Sequence, residues 1–209
     1  DTRDRDGGGR LRSGRASRDV GRKRHKSVKP RAVRALESNG LEQASWLGQI
    51  RPALGLFACT SGTFLRGVEF ERDFVRSLQA AMGAPVVTAA QSMVTVLRKR
   101  GTRVRLIASY SSDIVEAEAA YLRAHGLLVA SATGLGIVDD EETAGVSAER
   151  LLHESARLTG DGADVIMLSC TNLRTIAASP LIEHALGLPV VSSNSALAET
   201  ALHRLVAEA

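Results

Sequence analysis

The chain has 209 residues, enough for one compact unit or two small lobes with a real core. Apolar residues make up 44%, which is ordinary, but only 3% are aromatic, which removes the stacking residues that single-strand nucleic-acid binders rely on. The net charge of +4 is unevenly placed: residues 1–34 carry 13 Lys or Arg against 4 Asp, residues 35–209 carry 14 basic against 19 acidic groups, and the mildly acidic body implies no nucleic-acid partner.

In chain order, residues 1–31 come first, rich in Arg and Gly with almost no large apolar residue and neither helical nor strand periodicity. They read as a disordered basic tail. The tail lacks the apolar stretch of a secretory signal, and no run of about 18 apolar residues follows it, so the expectation is a cytoplasmic protein with no membrane partner. In a reducing compartment the two cysteines, Cys59 and Cys170, should be free thiols.

From residue 32 short apolar strands alternate with helices, the pattern of an α/β fold with parallel sheets. Helices are expected over 34–49, 69–82, 90–100, 113–125, 147–158 and from 195. Strands are expected over 53–58, 85–87, 104–108, 127–130, 163–169 and 189–191. Gly83 and Gly126 should stop the helices before them.

The sequence also repeats itself. One strand runs into Ala58-Cys59-Thr60-Ser61 and a later segment reads Gly83-Ala84-Pro85-Val86-Val87-Thr88; the other strand runs into Ser169-Cys170-Thr171-Asn172 and is followed by Gly187-Leu188-Pro189-Val190-Val191-Ser192. Both cysteines thus end a parallel strand, where open α/β sheets place their ligands. Two pseudo-symmetric lobes, one of residues 32–100 plus 188–209 and one of residues 101–187, would face each other with a thiol on each side of a cleft.

A thiol at such a strand end can be made more acidic by nearby N–H groups. The small polar residues after each cysteine could bind a carboxylate or a developing enolate. The five histidines show no metal-ligand spacing with each other or with cysteine, and the glycine-rich pieces lack a phosphate-loop pattern, so neither a metal nor any other cofactor is implied.

The strings Ala58-Cys59-Thr60-Ser61-Gly62-Thr63-Phe64 and Leu168-Ser169-Cys170-Thr171-Asn172-Leu173-Arg174-Thr175, with Tyr110 after its strand, resemble the aspartate/glutamate racemase superfamily. The branch they resemble is that of maleate isomerase, arylmalonate decarboxylase and ectoine-utilisation proteins. The resemblance implies that Cys59 and Cys170 are the catalytic pair, that Thr60, Ser61, Thr171 and Asn172 bind carboxylate oxygens, and that Tyr110 donates a hydrogen bond to the substrate. It also places Asp139-Asp140-Glu141-Glu142 in a region that lines the pocket, although an acidic run is usually a solvated helix start.

The reaction expected on this basis is cis-trans isomerisation of a small dicarboxylate such as maleate, with Cys59 adding to the alkene and the other thiol protonating the neighbouring carbon. Arylmalonate decarboxylases resemble the chain but keep only the second thiol, so Cys59 argues for a two-thiol reaction. Amino-acid racemisation would use the same residues, and a role in ectoine breakdown is a third reading. A homo-oligomer could form. Similar proteins begin with a strand and a substrate-binding Asn that residues 1–30 do not match, so a further expectation is that the first lobe is incomplete and the chain is a non-catalytic family member.

Overall fold

The structure is a computed structural model that describes residues 30–207; the basic tail read from the sequence lies outside them except at its last residues. Helix α1 (Pro30–Gly48) opens with a proline, which suits a first helical position because its missing N–H would have no partner there. Strand β1 (Gly55–Phe57) leads to Cys59 and a one-turn helix α2 (Ser61–Phe64) that the sequence pattern does not show. Then follow α3 (Gly67–Met82), β2 (Val86–Thr88) and α4 (Ala89–Arg100). Gly83 ends α3 in the left-handed region, φ 70°, as its position predicts. The Thr88 hydroxyl caps α4 by accepting from the Gln91 N–H at 3.1 Å.

The second half runs β3 (Arg103–Ala108), α5 (Ser112–Ala124), β4 (Leu128–Gly134), α6 (Asp140–Ala144), α7 (Ala148–Ala156), β5 (Val165–Ser169), α8 (Thr175–Leu186), β6 (Val190–Ser192) and α9 (Ser193–Ala207). All strand pairs are parallel, in a two-stranded sheet β1-β2 and a four-stranded sheet β4-β3-β5-β6. The α/β class with parallel sheets flanked by helices is therefore the observed fold.

One boundary needs correction. Residues 188–209 are expected in the first lobe; β6 instead pairs with β5, Ile166 opposite Val190 and Leu168 opposite Ser192, so residues 190–192 join the second sheet. Helix α9 then packs back on α4, joining the two halves.

Packing follows from which strands are covered on both faces. β3 and β5 are buried almost throughout, as central parallel strands must be. On one face Leu106 and Met167 pack with Leu97, Leu122 and Ala196 from α4, α5 and α9. On the other, Ile107, Ile166 and Leu168 pack with Leu151, Ala178 and Ile182 from α7 and α8. The first sheet has a smaller core, where Phe57 meets Phe74 edge-on at 5.1 Å and Phe74 stacks on Phe70 at 5.6 Å.

Two buried polar clusters tie the frame together. Arg105, on the otherwise apolar β3, donates from Nε and Nη2 to the Asp161 carboxylate at 2.9 and 2.7 Å and from Nη1 to the Ser155 carbonyl at 3.0 Å. Ser131 of β4 donates to the same carboxylate, and the pair is nearly enclosed, at 4% and 10% side-chain exposure. The Arg105 bonds hold the Asp161 carboxyl well below the usual carboxylate range. The second cluster links the halves: Glu71 of α3 accepts from Tyr121 of α5 at 2.5 Å and from Thr88 at 2.9 Å. Burial pushes the Glu71 carboxyl up despite these bonds.

Candidate active site

Each cysteine follows the carboxyl end of a parallel strand, and the two loops meet. The Ser193 hydroxyl, at the start of α9, accepts from the Thr60 hydroxyl at 3.0 Å and from the Cys170 N–H at 3.1 Å. The Thr171 hydroxyl donates across to the Ala58 carbonyl at 3.0 Å. A residue adjacent to Cys59 and the backbone of Cys170 thus share one oxygen atom. Both thiols are half-buried and free.

The backbone at Cys170 is unusual. Its φ of 135° is a conformation that a side chain rarely adopts, and such strain costs on the order of 1–3 kcal/mol. It persists because neighbours fix the loop around it: Ser193 holds the Cys170 N–H, and the Asn194 amide donates to the Thr171 and Leu173 carbonyls at 3.1 and 3.2 Å. At Cys59 the neighbour is Gly62, whose N–H bonds the sulfur, joined by the Ser61 side chain. A Cβ on Gly62 would lie 2.3 Å from Leu36 Cδ2 and 3.0 Å from the Cys59 sulfur, so a larger residue there would displace the Leu36 side chain and crowd the thiol.

Tyr110 completes the group. Its hydroxyl lies within interaction range of the Cys170 sulfur and within electrostatic reach of Cys59. Burial and these neighbours keep the phenol protonated well above its ordinary range, so it acts as a donor. Gly134, at the end of β4, lets the loop sit there, since a Cβ at that position would overlap the Tyr110 carbonyl oxygen.

Electrostatics differ from the sequence expectation at one thiol. The N–H of Gly62 and the Ser61 side chain favour the Cys59 thiolate, but burial outweighs them, and the charges of Cys170 and Asp140 add to it, so Cys59 is pushed above its ordinary range. It holds its proton at neutral pH. Because the two sulfurs repel each other's ionised forms, the site favours one thiolate and one thiol over two thiolates.

The remaining predicted binders are placed as follows. Ser61 faces Cys59. Thr60 is only 2% exposed, its hydroxyl turned to Ser193. The Asn172 amide donates to the Asp140 carbonyl, drawing the start of α6 over the site rather than pointing freely to a ligand. Of the acidic run, Asp140 lies near enough to Cys59 to be felt by it, while the Asp139 carboxylate caps α6 through the Glu141 and Glu142 N–H groups. Sequence reasoning does not single out Ser193 and Asn194 as site residues, although Ser193 closes the second copy of the repeat and Asn194 follows it. It also missed Glu118, a buried carboxyl behind Ser169.

The parallel sheets fit the aspartate/glutamate racemase superfamily, and the similarity to arylmalonate decarboxylase and maleate isomerase places the chain in it. Within it, the arylmalonate decarboxylase family model matches residues 35–208, and the chain belongs to that family. It is 32% identical over 173 residues to arylmalonate decarboxylase of Bordetella bronchiseptica, covering 81% of this chain and 72% of that protein. It is 27% identical over 179 residues to maleate isomerase of Pseudomonas putida, covering 82% and 72%. A liganded arylmalonate decarboxylase double mutant, with a glycine changed to cysteine and a cysteine to serine, superposes with a TM-score of 0.80 at 31% identity, covering 85% of this chain and 77% of the other.

Proposed function

We propose that the chain is a cofactor-independent isomerase that converts a small cis-unsaturated dicarboxylate, maleate or a close analogue, to its trans form. The observation that carries this reading is the meeting of Cys59, Cys170 and Tyr110 in one site with one sulfur disposed to keep its proton. The maleate isomerase relative supports the substrate class. The arylmalonate decarboxylase mutant described above acquires one of its cysteines by substitution for glycine, whereas this chain carries both thiols in its own sequence.

The local electrostatics favour the reverse of the roles expected from sequence. Cys59, which burial disposes to keep its proton, is the proton donor, and Cys170, with the Tyr110 phenol in range of its sulfur, is the nucleophile. The Cys170 sulfur bonds to one alkene carbon, the π electrons move to the other carbon and its carboxylate, and the Cys59 thiol supplies a proton there. Rotation about the new single bond follows. The Cys59 thiolate then takes the proton back and the Cys170 sulfur departs, leaving the trans alkene with no net change at the protein. In this reading Ser61, with Thr171 and the other small polar residues after each cysteine, binds the carboxylates.

The purified chain should form fumarate from maleate, read by the loss of maleate in proton NMR. Phenylmalonate and D- and L-aspartate and glutamate, offered in parallel, should remain unchanged. Decarboxylation or racemisation without any fumarate would reject the isomerase reading and leave the two-thiol site in place for the other reaction.

A further inference from the structure

Glu118 lies on α5 at 1% exposure, and none of the ion pairs among the described residues reaches it. One carboxyl oxygen accepts the Ser169 hydroxyl, and the other is buried without a hydrogen-bond partner among the described residues. A carboxyl in that setting is costly unless something depends on it. Ser169 is the last residue of β5 and immediately precedes the strained Cys170, and its carbonyl accepts the Ser109 N–H at 3.4 Å, one residue before Tyr110. The groups facing Glu118 are Ser169 from β5, Tyr110 from the loop after β3 and Tyr121 from its own helix. Behind Tyr121 stand Glu71 of α3 and Arg98 of α4, both within electrostatic reach of that phenol. The carboxyl therefore reaches the site through its bond with the hydroxyl beside Cys170 and, through space, by its charge at Tyr110.

We propose that Glu118 is a positioning residue of the second half-site, a buried neutral acid that acts through Ser169 and Tyr110 and, on losing its proton, suppresses the reactivity of the Cys170 sulfur. The chemistry is that of two groups competing to be charged in one enclosed space. Burial pushes the Glu118 carboxyl up to about 8, with the Ser169 bond only partly opposing it, so at neutral pH the acid is uncharged and sets no anion behind the Cys170 sulfur. As pH rises through that value, a carboxylate forms behind Tyr110 and opposes the thiolate. The proposal rests on Cys170 being the working nucleophile, but labelling of the sulfur without substrate tests it whether or not maleate is turned over.

The test follows iodoacetamide labelling of Cys170 by peptide mass spectrometry from about pH 6 to about pH 10, in a Cys59→Ser background so that one sulfur reports. Glu118→Gln keeps an acceptor for Ser169 and cannot ionise. It should move the labelling midpoint down by about half a unit or more, the two rates coinciding near pH 6 and separating by about threefold only above about pH 8, where Glu118 ionises. Ser169→Ala removes the bond that favours the carboxylate, keeps Glu118 neutral to higher pH, and should move the midpoint in the same direction. Tyr110→Phe should move it up. A midpoint unchanged by both Glu118→Gln and Ser169→Ala, or raised by them, overturns the proposal. If Glu118→Gln fails to fold, as judged by circular dichroism, the Ser169→Ala result decides.

Discussion

Replacing Cys170 with alanine is expected to abolish fumarate formation to the background of the assay, while Cys59→Ala lowers kcat by about 10²–10⁴-fold, the range for loss of a general acid. The asymmetry follows from the roles. Without the Cys170 sulfur no covalent adduct forms, whereas without Cys59 the adduct forms and waits for a proton from water. Both side chains are half-buried and neither belongs among the fully buried core residues, so both variants should melt close to the parent. The pH dependence carries the sign of the Cys59 shift. A group pushed up by burial keeps its proton through neutrality, so the acid-dependent step should persist into the alkaline range and fail only as pH rises through the raised value. Steady-state rates of the parent and both variants against pH check this directly.

The largest effect on stability is expected at Arg105. Truncating it to alanine leaves the Asp161 carboxylate enclosed with only the Ser131 hydroxyl and the Ala163 N–H, and breaking a buried pair from one side costs about 3–5 kcal/mol. The urea midpoint should fall accordingly. Asp161 is held below its ordinary range in the folded chain, so its contribution is present above the unfolded carboxylate value and is lost as pH falls through the folded one. The parent should therefore lose stability on acidification where Arg105→Ala loses less.

Much of this arrangement could be read from the sequence because the repeat is written in strand ends. Cys59 and Cys170 each follow an apolar run, and an apolar run into a small polar loop is visible without any tertiary information. Which sheet a strand joins is not. Val190–Ser192 repeats Val86–Thr88 almost letter for letter, yet one pairs with β5 and the other with β1, because the partner is chosen by the whole crossover. β4 was expected over 127–130 but extends to Gly134, since Ser131, Ala132 and Thr133 pair with β3 at a sheet edge, where no apolar run is needed.

The site was legible at its sulfurs and illegible at their supports. Glu116 and Glu118 stand two apart on one helix and look alike in the sequence; the first pairs with Arg123 at the surface, the second is buried behind Ser169. Thr60 and Asn172 show a similar limit. A small polar residue after a strand-end cysteine can face a ligand or brace a loop, and here Thr60 turns to Ser193 and Asn172 to the Asp140 carbonyl. The acidity of Cys59 was misjudged for a related reason. Nearby N–H donors can be inferred from loop composition, but the burial that outweighs them belongs to the folded chain.

The site of maleate attachment tests the roles of the two sulfurs most directly. Cys59→Ser protein incubated with maleate, quenched in acid and digested should carry a succinyl group on the Cys170 peptide, and Cys170→Ser protein should carry none on Cys59. Full fumarate formation by both single variants, or an adduct found on Cys59 and never on Cys170, would contradict it.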